Sequence, residues 1–174
     1  MESLKAATEV TAVRLTEKRR FAKVGDLFRL SPYAGVFLWG SLNKKARFFG
    51  DNFEANLVYI YDAIGRDLPK PEVLIPSNLI VGPSVLNNLG WVRGYWEIMA
   101  SQPLRPADTR EEHLFVSYRG TGSPADYDLV DEDGRVVAGR AVDPRSLGQS
   151  GYGNFNYVDW LIRGILQARG VIPQ

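Results

Sequence analysis

From Val24 onward the chain alternates apolar and polar positions in short runs. In GDLFRL (25–30), Phe28 and Leu30 fall on one side of a strand and Leu27 and Arg29 on the other. Turn material at Ser31–Gly35 leads into a second strand, VFLWGSL (36–42). Asn43-Lys44-Lys45 is then read as a hairpin tip returning through Ala46–Phe49. NLVYIYD (56–62) is an unbroken run of branched and aromatic residues, the strongest strand signal in the chain. Beyond the loop DLPKPEV, VLIPSNLIV (73–81) predicts a strand pair or a bent strand around Pro76, at an edge or a bulge. HLFVSYRG (113–120) and YDLVDEDGRVVAG (127–139) supply the last strands, the latter a hairpin with Asp131–Gly134 at its tip.

The period changes near the C-terminus. Val158, Leu161, Ile162, Ile165 and Leu166 make an apolar stripe at helical spacing. Asn156 is the expected N-cap, with Asp159 three residues later and Gly170 closing the helix. Residues 8–16 fit a strand or a helix face equally. About eight strands and one helix predict an α+β protein: a mostly antiparallel, strongly bent β-sheet or a partly open barrel with a C-terminal helix. No linker or repeat divides the chain, so a single domain over 1–174 is expected. It comprises an extension at 1–20, a β-rich core over 24–142 and a helix over 156–169.

GWVRGYWEI (90–98) has two faces when read as a strand. Val92, Gly94, Trp96 and Ile98 point toward the core, and Trp91, Arg93, Tyr95 and Glu97 point away. Trp, Tyr and Arg combine apolar area with a hydrogen-bonding end, as binding hot spots do. The outward set either caps the end of the sheet, with Arg93 stacked between the rings, or grips a partner. On the second reading, Trp91→Ala or Arg93→Ala weakens binding and leaves the fold intact.

Composition removes several chemistries. The 174 residues contain no cysteine and one histidine, His113, so disulfides, thiolate nucleophiles and a His-based metal site are not expected. His113 and Ser117 would stand about 13 Å apart on a regular strand, too far to pair. Glu97, Glu111 and Glu112 could supply paired carboxylates, but nothing in the sequence brings them together. GTGSPA (120–125) and GQSGYGNFN (148–156) lack the lysine of a phosphate-binding loop and read as loop glycines. Around Gly134 a calcium-loop template places Leu129 and Arg140 where oxygen ligands are needed, so it fails. No cofactor, metal or catalytic residue is expected. The first 20 residues lack a signal-peptide core and no segment is long enough for a membrane span, so a cytoplasmic protein is expected.

The net charge of +1 is unevenly spread. Residues 1–50 hold ten Lys/Arg against four Asp/Glu; residues 51–150 hold nine against fifteen. Lys18-Arg19-Arg20 reads as a solvated basic patch. Asp128, Asp131 and Asp133, in a run with Asp126 and Glu132, form either a hydrated hairpin tip or an acidic patch for a basic partner.

VGDLFRL (24–30), VFLWGSL and NLVYIYDA (56–63) together resemble the start of the immunity protein 26 family of bacterial polymorphic-toxin systems. VLIPSNLIV followed by GWVRGYWEIMASQPL (90–104) is similar to that family's second hallmark, a Trp-x-x-Gly-x-Trp-like run ending in Pro-Leu. Residues 24–104 carry most of the likeness; the first 20 residues and the helix lie outside it. The resemblance implies a small protein that binds a cognate toxin domain in the producing cell without catalysis. Its partner-binding candidates here are Trp91, Arg93, Tyr95, Asp128, Asp131 and Asp133. The alternative is a nucleic-acid-binding β-barrel module, with Trp39, Phe48 and Phe49 stacking bases beside Lys44, Lys45 and Arg47; against it stands the near-neutral net charge. An enzyme acting on a sugar or small metabolite would need a convergent pair of carboxylates in a pocket.

Overall fold

Strand-forming residues fold into two sheets in the computed structural model, which describes residues 12–118, 127–137, 147–149 and 153–174. Five strands build the larger sheet: β1 (Asp26–Tyr33), β2 (Val36–Arg47), β3 (Glu54–Tyr61), β4 (Leu79–Leu86) and β5 (Trp96–Ser101). Their order is β4-β3-β2-β1-β5 and every neighbouring pair is antiparallel. Each pairing carries a register shift, which adds local twist. The sheet stays open, with β4 and β5 as its two ends, so it does not close into a barrel. The smaller sheet joins β6 (Phe115–Tyr118), β7 (Tyr127–Val130) and β8 (Gly148–Gln149) in the order β7-β6-β8, with β6 and β8 parallel.

Three expectations change. β2 runs straight through Asn43–Lys45 to Arg47, because Lys44, Lys45 and Ala46 pair with Leu57, Asn56 and Ala55. The 73–81 run is not a strand pair: a 3-10 turn at Pro71–Val73 and further turns precede β4, which starts at Leu79. Pro83 lies instead in β4, an end strand, where its missing N–H is tolerated. Third, the terminal helix α2 (Phe155–Ala168) is capped by Asn154, not Asn156; the Asn154 side chain accepts from Tyr157 N–H at 3.1 Å. A short helical turn, α1 (Leu89–Val92), precedes β5. The 131–134 tip stands as expected, with Gly134 at φ +81°. GTGSPA lies outside the described residues.

The large sheet separates two environments. On one face Phe28, Leu30, Leu38, Val58 and Ile60 pack against Phe155, Val158, Ile162 and Leu166 of α2. There the Phe28 ring stacks on Trp96 (4.8 Å) and meets Trp91 edge-on (5.2 Å). Two glycines make room: a Cβ on Gly40 would stand 2.5 Å from the Phe28 ring, and one on Gly90 2.8 Å from Trp96. The other face holds Leu27, Trp39, Tyr59, Tyr61 and Leu74. The smaller sheet packs its Phe115 and Val130 against Phe48, Leu57 and Val85.

Asp159 is on the helix face turned to the core. It is 1% exposed, and neither carboxylate oxygen has a hydrogen-bond partner. Burial pushes its pKa from the ordinary 3.8 up to about 8, opposed by the positive charge of Arg163 and by the nearby Trp96 indole N–H. That indole nitrogen also stops short of hydrogen-bonding geometry. The folded protein keeps a proton that the unfolded chain releases, so stability falls as pH rises from 3.8 to about 8. Asp159→Asn removes this titration. In urea melts it should match the wild type near pH 4 and exceed it by at least about 1 kcal/mol at pH 8. Equal pH slopes in the two proteins would show that the carboxyl is already ionised.

Candidate functional site

GWVRGYWEI is a turn followed by a strand, which removes the alternation expected for residues 91–95. Gly94 has φ +79°, Gly94 N–H bonds to Trp91 C=O, and Tyr95 N–H bonds to Gly90 C=O. This pair of bonds closes a helix on a left-handed glycine, so α1 stops there and β5 begins at Trp96. Trp91 consequently points into the core at 1% exposure, and removing it would damage the fold. Tyr95 is half-buried and stacks on Phe155 at 4.7 Å. Arg93 alone of the three is exposed. Trp96 and Ile98 do face the core as expected, and Glu97 on the opposite side pairs with Arg29 at 2.8 Å.

The acidic tip is committed to internal bonds. Asp131 accepts the backbone N–H groups of Asp133 and Arg135, and Asp133 pairs with Arg135. Asp128 is half-buried on β7, opposite Ser117. Glu132 reaches inward, where Oε1 meets His113 Nδ1 at 2.7 Å and Oε2 takes the Lys44 ammonium. His113 Nε2 lies 2.5 Å from the Tyr59 hydroxyl, which also accepts Arg110 N–H. Beside it, Tyr61 bonds Ser41, Ser41 donates to Asn43, and Asn43 donates to the Asp108 carbonyl.

Glu132, His113 and Tyr59 thus stand in the carboxylate–imidazole–hydroxyl order of a nucleophilic triad. Tyr59 is wholly buried and His113 is 3% exposed, so the hydroxyl faces no solvent. Burial raises the Tyr59 pKa and pushes that of Tyr61 to about 12, keeping both phenols protonated. The relay therefore ties β3 to the tip that follows β7. The sequence hid it: its members are separated by 54 and 19 positions and join only through the sheet. Of the acid–base candidates considered above, Glu97 is held by Arg29, and Glu111 and Glu112 are exposed. Among the described residues no group of three or more His, Asp or Glu could hold a metal ion.

Basic residues gather elsewhere. The 12–23 segment, whose part up to residue 20 was expected to be an extension, lies along the large sheet in neither helix nor strand. Val13 N–H bonds to Ser31 C=O, and the N–H groups of Leu15 and Thr16 share Gly94 C=O. A Cβ on Gly94 would lie 1.9 Å from the Thr16 carbonyl oxygen, so that contact requires glycine twice over. Ala22 anchors the far end at 0% exposure. Lys18, Arg19 and Arg20 between the anchors and Lys23 just beyond them are exposed and make no ion pair among the described residues, while Arg14 pairs with Glu17. Phe21 (69% exposed) and Met99 (44%) add apolar area. A cleft of about 490 Å³ opens between this strap and β5, and one of about 420 Å³ lies between Arg14, Arg19, Arg93 and Tyr95. Arg93 and Tyr95 therefore join the strap, while the acidic tip belongs to the other sheet.

No family model matches the chain, and neither a curated protein nor a solved structure matches it. The likeness to the immunity protein 26 family is carried by the quoted motifs alone. Among the described residues no helix is long and apolar enough to cross a membrane.

The hydrogen bond from His113, with the Lys44 contact, pulls the Glu132 pKa from 4.5 down to about 2 against its partial burial. The stabilisation it contributes is present above pH 4.5 and lost as pH falls toward 2. Glu132→Gln should cost about 2 kcal/mol at pH 7, with the deficit shrinking through that acid window. A deficit independent of pH would remove the charge from the explanation.

Proposed function

We propose that this protein binds and neutralises a cognate toxin domain, as an immunity protein acting inside the producing cell by stoichiometric contact. The observation that carries the reading is the strap. Arg20 and Lys23 stand with Phe21 and Met99 in the wall of an open cleft, Lys18 and Arg19 are exposed beside them, and none of the four makes an ion pair among the described residues. Cations held over apolar area next to a concave surface suit an acidic protein partner, and Arg93 with Tyr95 extends the same surface. A tight complex buries on the order of 800 Å² per partner, which the strap, the β5 edge and the α1 turn could supply together. The motifs at 24–104 add the family resemblance. The acidic tip contributes less, since its carboxylates are engaged within the hairpin.

Two of the three rings of the nucleic-acid reading are inside, and the third, Phe49, is half-buried against Phe115. Trp39 is 1% exposed, Phe48 is fully buried, and Lys44 is held by Glu132.

The reading expects the neighbouring open reading frame to end in a toxin domain, and the test uses that domain. Co-expression with the wild-type chain should restore growth, and the purified toxin should be silenced at about one equivalent. Arg19→Glu with Arg20→Glu should leave the melting temperature unchanged and weaken binding at least about tenfold, about 1.4 kcal/mol. Silencing by a small fraction of an equivalent would mean turnover and defeat the proposal. Unchanged affinity in the folded double variant would move the interface off the strap.

A further inference from the structure

Resting on that reading, we propose that the partner docks by adding an extended, acidic segment as a sixth strand on the free edge of β5, beneath the basic strap. β5 ends the large sheet and pairs only with β1, so its outer edge carries backbone N–H and C=O groups with no strand beside them among the described residues. The strap runs along this edge without bonding to it. Its backbone bonds go to Ser31 and Gly94 at one end; at the other Ala22 is buried and Lys23 bonds to Asp26. No backbone bond joins residues 17–23 to residues 97–101. The intervening space is continuous with the edge: the cleft of about 490 Å³ borders Met99–Ser101, and a smaller one of about 100 Å³ borders Glu97 and Ile98.

That geometry fits an extended chain in two respects. The unpaired backbone groups can extend the ladder, and alternate side chains of an added strand would meet Phe21 and Met99 on one side or solvent on the other. The charge chooses among chains. Lys18, Arg20 and Lys23 line the clefts along the edge and make no ion pair among the described residues. The one acid on β5, Glu97, is paired with Arg29, and Asp26, which also borders the larger cleft, is buried and accepts the Lys23 N–H. An incoming strand therefore meets net positive charge and is favoured if it carries Asp or Glu. The same charge disfavours a second copy of this chain, whose β5 edge would bring another basic strap against the first.

The probe is a fluorescein-labelled peptide of about ten residues alternating glutamate and valine, measured by anisotropy against the whole protein. It should bind at least about tenfold tighter than the same peptide N-methylated at alternate amides, and than its lysine counterpart. Hydrogen exchange at Glu97–Ser101 should slow in the complex, and Lys18→Glu with Arg20→Glu should abolish binding in a protein that still melts as wild type. No binding, or equal binding of the methylated peptide, overturns the proposal. So does displacement of the peptide by a single-stranded RNA, or a dimer in which these amides are already protected. With the toxin domain itself, binding that leaves β5 exchange unchanged refutes strand addition and leaves the neutralising function standing. Peptide protection of β5 alongside a toxin that never binds does the reverse.

Discussion

The Phe28 ring lies where a side chain on Gly40 would otherwise be, and the rest of the large sheet is arranged around that contact. Phe28 and Gly40 are direct partners across β1 and β2. The ring fills the missing Cβ, stacks on Trp96 from β5 and receives the edge of Trp91 from α1. Trp96 in turn needs the bare Cα of Gly90. Three large rings and two glycines thus lock β1, β2, β5 and the turn before β5 into one packing unit, under which α2 docks. Rings in such close contact add attraction beyond their buried area. A methyl group at either glycine would have to displace a ring that has nowhere to go.

The two faces of the sheet handle polar groups in opposite ways. Beneath Tyr59 and Tyr61, hydroxyls, amides and an imidazole satisfy one another in continuous chains, and Glu132 brings charge to the end of one chain where Lys44 meets it. Under α2 the surroundings are aromatic and aliphatic, and Asp159 is left with no donor on either oxygen. A carboxyl in such a site holds its proton because the cost of burying its charge outweighs the attraction of Arg163. Where the polar groups are bonded the fold gains pairing between distant segments. Where they are not, stability falls as pH rises between 3.8 and about 8.

The side chains committed inside the molecule leave a distinct remainder. The acidic tip binds its own backbone, the relay is sealed, and Trp91 is core. Among the groups the fold holds outward are the cations of the strap, which make no ion pair among the described residues, the exposed edge of β5 and the Arg93 side chain. Residues 12–23 are therefore part of the folded surface. Gly94 links them to β5, because its carbonyl anchors the strap and its backbone ends the turn that leads into that strand.

Period and propensity in the sequence determined β1, the first half of β2, β3, the hairpin tip at 131–134 and the stripe of α2, since each of these is a local preference repeated over several residues. The sorting of Phe28 and Leu30 from Leu27 and Arg29 was equally legible, because alternation along a strand needs no knowledge of its neighbours. Tertiary structure decided the rest. Residues 90–95 carry strand-forming aromatics, yet Gly94 could end a helix there once the Thr16 carbonyl came against it. Lys44 and Lys45 look like a turn, but pairing with Leu57 and Asn56 carries β2 through them. Asn154 and Asn156 are both good caps, and only the docking of Phe155 and Val158 chooses between them. Where local preferences were single-valued the sequence sufficed; where two were nearly equal, contacts from far along the chain broke the tie.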